Sequence, residues 1–140
     1  MLIYHYSHYK LTSTKVSKHG TGINGAESKR KIHKLYLDRT YFGTKNYKPE
    51  KGLGIYKHET FILNSKIYDL NKDEHKFYDL LKNTYKGDYL ITAIEFSIRL
   101  TGYRYIKNND TILSFVDLPV GFIGLKEFKT IQVKPYTRKY

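Results

Sequence analysis

Apolar and polar positions alternate singly at the start of the chain. In LIYHYS (2–7) Leu2, Tyr4 and Tyr6 fall on one side and Ile3, His5 and Ser7 on the other, which is the period of a β-strand. The same period returns in DRTYFGT (38–44), with Arg39, Tyr41 and Gly43 on one face and Thr40, Phe42 and Thr44 on the other. It returns again in two pieces, 55–62 and 66–70, broken by an Asn64-Ser65 turn. Then the period lengthens. Asn71 or Asp73 can cap a helix running to about Tyr85, with Phe77, Leu80, Leu81 and Thr84 as its core face and Gly87 as its end. Leu90, Ile91, Ile94 and Ile98 predict a second helix over 89–100, stopped by Gly102.

The remainder reads as strand. Tyr103–Lys107 and Thr111–Leu118 flank Asn108-Asn109-Asp110, a hairpin turn; Pro119 and Gly121 break the second strand, and Glu127–Val133 supplies a last one before a basic tail, KPYTRKY. No internal repeat or low-complexity linker divides the chain. The expected fold is therefore α+β: a single domain over 1–140, with a mixed or antiparallel sheet and two to three helices. At 140 residues the chain is long enough for a core of its own.

Between the first two strands the pattern stops. Lys10–Lys18 is a polar connection, and HGTGINGAESKRK (19–31) follows, in which Gly20, Gly22 and Gly25 enclose Thr21 and precede Glu27, Lys29, Arg30 and Lys31. Glycine lets backbone amides approach a ligand closely, and consecutive amides form an anion-binding concavity. A short helix from about Ala26 to Leu35 would point its N-terminus back at that ligand. The stretch lacks the GK[ST] of a Walker loop and the leading apolar strand of a dinucleotide fingerprint, so a surface turn capped onto a helix reads equally well.

Charge concentrates at this end. The chain carries 25 Lys and Arg against 13 Asp and Glu, a formal +12; residues 1–58 hold twelve cations and three acids, five of the six histidines and six of the ten glycines. This divides the domain into a site-bearing half, 1–58, and a scaffold half, 59–140. An anionic partner is expected: a nucleotide first, nucleic acid as an alternative, or an acidic protein surface. With no cysteine, a disulfide framework and a Cys-ligated metal are both excluded. No signal-like or membrane-length apolar run occurs, so the expected setting is cytoplasmic, without membrane contact.

Side chains for such a partner are at hand. His5 and Ser7 share a face at the end of the first strand; the alternative for His5 is a hydrogen-bonded structural histidine. Arg39 offers a planar fork matched to phosphate, with pairing to Asp38 or Glu27 as its alternative, and Tyr41 can stack on a base or bond a ribose. The loop Lys45–Gly54 carries Tyr47 and Lys48 and suits a lid. No metal is expected: the first half has only three carboxylates, in no D-x-D arrangement, and its histidines lack i, i+4 spacing.

Taken together, HYS, HGTGINGAESKR, DRTYFGT, YKPE, LG and KIYDL resemble a small phage-associated domain also found in polyvalent phage proteins and labelled inorganic-pyrophosphatase-like, over roughly residues 4–70. More distantly the chain resembles the ADP-ribosyltransferase-like fold. That resemblance implies that His5-Tyr6-Ser7 orients the ribose of NAD, that Tyr41 stacks on the nicotinamide, and that GYRYIKNNDTILSFVDLPV (102–120) is the final hairpin. It also implies a late catalytic acid, for which Glu95 and Asp117 are loose candidates.

Three functions follow as expectations. In the first, a phage-associated enzyme binds NAD or another diphosphate-containing nucleotide and cleaves it or transfers from it. His5, Tyr41 and Glu27 are then the catalytic candidates, and Ser7, Gly20, Thr21, Gly22, Gly25, Arg30, Arg39, Tyr47 and Lys48 the binding ones. In the second, a non-catalytic phage inhibitor sequesters a nucleotide or blocks a host protein in the host cytoplasm. In the third, a basic nucleic-acid-binding protein stacks bases on exposed tyrosines. A pyrophosphatase-like hydrolase is a further alternative, short of the carboxylates that Mg²⁺ requires.

Overall fold

The computed structural model describes residues 1–17, 37–49 and 54–125. The expected helix over 26–35, the expected strand Glu127–Val133 and the glycine-rich stretch lie outside the described residues. Within them the protein is α+β, with a mostly antiparallel sheet and two α-helices.

The first strand, β1, is Leu2–Ser7, as its alternation predicts, with Ile3 and His5 buried and Leu2 exposed. After a two-residue strand, β2 (Ser13–Thr14), come β3 (Thr40–Gly43), β4 (Tyr56–Phe61) and β5 (Ile67–Asp69), the last two separated by a 3-10 turn at Asn64–Lys66. Helices α1 (Phe77–Leu81) and α2 (Gly87–Leu100) follow, then β6 (Tyr105–Asn108), β7 (Thr111–Ser114), β8 (Leu118–Pro119) and β9 (Gly121–Leu125). Seven strands form one sheet in the order β5-β6-β7-β3-β1-β4-β9, while β2 and β8 pair separately. Among the described strand pairs β5 and β6 are the parallel one, and both helices lie on the crossover between them.

Each face of the sheet has its own core. Ile3, Phe42, Ile62, Tyr105, Ile112 and Leu118 pack on one side. On the other, Tyr68, Ile94, Ile98, Ile106, Leu113 and Phe115 bring the helices onto the sheet, with Tyr41 and Leu37 at the margin. Ile94 and Ile98 are the buried residues of α2, and fully burying one such side chain is worth about 1.5–3 kcal/mol.

Several expectations are corrected. The helix expected through Tyr85 is only five residues long, and its intended core residue Leu80 is 69 % exposed. Its entry is held by Asp73, whose carboxylate accepts the N–H groups of Phe77 (3.1 Å) and Tyr78 (3.0 Å) and the hydroxyl of Tyr68. Gly87 opens α2 instead of closing α1. The polar connection 10–18 contains β2, whose Ser13 and Thr14 pair with Pro119 and Leu118. Consequently β7 stops at Ser114, where the Ser114 hydroxyl donates to the Val116 carbonyl (2.7 Å) and turns the chain away. The break expected at Pro119 and Gly121 is present: Pro119 ends β8 and Gly121 opens β9. The β6–β7 hairpin forms where expected, with Asn109 at φ 56° in its turn.

Candidate functional site

His5 stands on β1, an interior strand of the sheet between β3 and β4, directly opposite His58 of β4. Both imidazoles are buried. His5 Nδ1 donates to the carbonyl of Tyr41 (2.8 Å), while His58 accepts the Leu11 N–H at Nε2 (2.8 Å) and donates from Nδ1 to the His5 carbonyl (3.3 Å). Burial pushes the His5 pKa down; the Tyr41 carbonyl works against that, and the neighbouring His58 adds to it. His5 is thereby held as a neutral imidazole that braces β1 against β3. Ser7, two residues on, donates its hydroxyl to the Tyr9 carbonyl in a local turn.

Arg39 is equally committed. Its guanidinium, 4 % exposed, forms a two-point pair with Glu95 of α2 at 2.5 and 3.1 Å, donates from Nε to the Leu37 carbonyl (2.9 Å) and reaches the Tyr41 hydroxyl (3.3 Å). Burial opposes the charge on Arg39, and Glu95 more than offsets it, so the guanidinium stays cationic. Glu95, the acid that the fold resemblance offered as a late catalytic group, is thus a partner of Arg39 within the protein. Asp117, the other late acid, accepts the Val16 N–H (2.8 Å) and faces Lys15 at 3.8 Å near the surface.

The strand registers separate two residues that the sequence grouped. Tyr4 pairs with Gly43 across β1 and β3, so Tyr41, on the Gly43 side of β3, shares a face with Leu2, Tyr4 and Tyr6. His5 shares the other face with Phe42, whose ring lies 5.2 Å from its own. The His5 and Tyr41 side chains therefore project from opposite faces, and no single ligand lying on one face meets both. Tyr47 lies over Gly43, at the point where a Cβ on Gly43 would come within 2.3 Å of its ring, and stands 6.4 Å from Tyr6. Lys48 is exposed beside it. Gly20, Thr21, Gly22, Gly25, Glu27 and Arg30 lie outside the described residues.

A different set of side chains gathers on the Tyr41 face. Among the described residues, the helices pack against β5, β6, β7 and β3, and the half made of β1, β4 and β9 carries no helix. There Lys57, opposite Tyr6 in the β1–β4 register, holds its Nζ 4.6 Å from the centre of the Tyr4 ring. Burial, followed by the neighbouring Tyr4 and Tyr47 phenols, pushes the Tyr6 pKa up, so its hydroxyl remains a neutral donor at pH 7. Leu2 and Phe61, a cross-strand pair, are 47 % and 66 % exposed. The alternation of 2–7 already put Leu2, Tyr4 and Tyr6 together; Lys57 needed the register.

No protein-family model matches the chain, and no curated protein or solved structure shows significant similarity to it. Among the described residues no group of His, Asp and Glu is arranged to hold a metal ion, and no helix is long and apolar enough to cross a membrane.

Proposed function

We propose that this protein binds single-stranded nucleic acid on the half of its sheet that carries no helix among the described residues, with bases stacked on tyrosines and phosphates met by lysines. The observation that carries the reading is the cluster of Tyr4, Tyr6 and Tyr47 around Lys57 on β1, β4 and the loop after β3. Aromatic rings on a sheet offer every base a π-face, and stacking contributes about 1–3 kcal/mol per base. The formal charge of +12 supplies the attraction to the backbone. Catalysis is not needed, which suits His5 and Arg39 being engaged within the protein.

The test is the affinity of a labelled short single strand, compared with duplex, between about 50 and about 200 mM salt. Affinity should fall steeply with salt, favour the single strand, and weaken about tenfold or more in Tyr6→Ala/Lys57→Ala, a loss of about 1.4 kcal/mol. An affinity flat in salt, or equal for duplex, removes the reading.

A second reading keeps the ADP-ribosyltransferase-like fold, with NAD or another diphosphate nucleotide as ligand of a phage-encoded protein acting in the host cytoplasm. One observation favours it: the fixed His5 ring keeps its Nε2 lone pair, since only Nδ1 is bonded among the described residues. Stabilisation by millimolar NAD, lost on changing His5 but not Lys57, would select this reading over the first.

A further inference from the structure

A cavity of about 380 Å³ opens where the start of β1, the end of β3 and the β6–β7 hairpin meet. Leu2 and Tyr4 form its apolar wall, and Thr44, Lys45, Lys107 and Asp110 its polar one. We propose that this groove seats one nucleotide of the bound strand, its base against Tyr4 and its phosphate on Lys45 and Lys107. The inference rests on the single-strand reading above and deepens it by giving that strand an anchored position.

The size and the mixture of walls suit such an occupant. Ligand pockets run from about 300 to about 1,000 Å³, mostly apolar with a few placed polar groups. The Tyr4 ring is flanked by Lys57 Nζ at 4.6 Å, so a base laid against it meets an aromatic surface already beside a cation. Two lysines against one carboxylate leave the groove net positive. Asp110 then sets the selectivity. One of its oxygens accepts the Thr44 hydroxyl at 3.3 Å, leaving the other for a sugar hydroxyl or a base N–H. A bare phosphate gains nothing from that carboxylate and is repelled by it. A nucleotide gains a hydrogen bond.

The walls are also held before any ligand arrives. Thr44 donates its backbone N–H to the Asp110 carbonyl (2.9 Å), tying β3 to the hairpin, and Asn71 accepts the Asn109 N–H on its side-chain oxygen (2.8 Å). Preorganised walls lower the ordering cost of binding.

The experiment compares two double variants that remove the same charge: Lys45→Ala/Lys107→Ala in the groove, and Lys72→Ala/Lys86→Ala on the exposed helical side. The probes are a short single strand, adenosine monophosphate and inorganic phosphate, with thermal melts to show that both variants fold. The groove variant should bind the strand about tenfold more weakly than the control variant and lose adenosine monophosphate, which the unmodified protein binds in preference to phosphate. If the groove variant loses no more strand affinity than the control, the groove is not a nucleotide seat and the sheet-face reading stands. If the unmodified protein binds no strand at about 50 mM salt, both fall together.

Discussion

Arg39 and Glu95, fifty-six positions apart, form the ion pair that fastens α2 to the sheet, at 2.5 and 3.1 Å with side chains 4 % and 12 % exposed. The pair changes what the most obvious mutation would report. Arg39→Ala, the natural probe of a phosphate grip, would remove the two-point pair of a buried carboxylate and test the fold instead.

Breaking the pair from either side should therefore be costly. Glu95→Gln or Arg39→Ala is expected to lower unfolding free energy by about 3–5 kcal/mol, because the remaining buried charge loses this two-point pair. The double variant Arg39→Met/Glu95→Leu should recover most of that loss. Urea unfolding of the three proteins checks this, and equal destabilisation of single and double variants would mean the charge pairing is not what holds α2.

His5 makes stability depend on pH. Burial lowers its pKa from the ordinary 6.5, so as pH falls the unfolded chain takes up a proton before the folded one does. The contribution is present above 6.5 and is lost as pH falls through the folded value. His5→Gln keeps a donor for the Tyr41 carbonyl and removes the titration, so its stability should decline less between about pH 6.5 and pH 5. Parallel decline in both proteins would assign the acid sensitivity elsewhere.

Two glycines sit where a Cβ does not fit. At Gly54, φ is +91° and a Cβ would come within 2.3 Å of the Ser7 carbonyl group, which is backbone and cannot step aside. At Gly43 the obstacle is the Tyr47 side chain, at the same 2.3 Å. Gly54→Ala should cost more stability than Gly43→Ala, the latter about 1–3 kcal/mol. Because Tyr47 rests on Gly43, Gly43→Ala also displaces it and weakens strand binding, which the affinity assay reads separately from the melt.

Asp73 and Tyr68 act as a unit. Burial and then the hydrogen bond to Asp73 push the Tyr68 pKa up to about 12. Burial alone would raise the Asp73 pKa, but the bonds from Tyr68, Tyr78 and Phe77 outweigh it and hold the carboxyl below its ordinary 3.8. Its stabilisation is present above 3.8 and lost as pH falls through the folded value. Asp73→Asn, which tolerates the φ of 43° at this position, should cost about 1–2 kcal/mol at neutral pH. Adding Tyr68→Phe should cost less than the sum, as a double-mutant cycle would measure.

Local pattern alone determined much of this protein. The alternation of 2–7, the helical spacing of Leu90, Ile94 and Ile98, and the Asn-Asn-Asp turn each encode their element within a dozen residues, because side-chain period and turn conformation are local properties. α1 departs from its pattern for the converse reason: Phe77, Leu80 and Leu81 have the spacing of a core face, but burial is decided by what packs there, and Leu80 is exposed.

The site was decided by tertiary structure. Residue order placed His5 and Tyr41 in one imagined pocket, whereas the Tyr4–Gly43 register sends them to opposite faces, since a shift of one position in a strand exchanges its two sides. For Arg39 the sequence offers a ligand phosphate or the nearby acids Asp38 and Glu27, and only α2 brings Glu95 to it. The groove needs residues near 2, 44, 107 and 110 at once, and only the pairing of β3 with both β1 and β7 puts them together. Sequence fixes which side chains exist and how each element repeats; the partners of a strand or a charge depend on contacts far along the chain, which no local pattern carries.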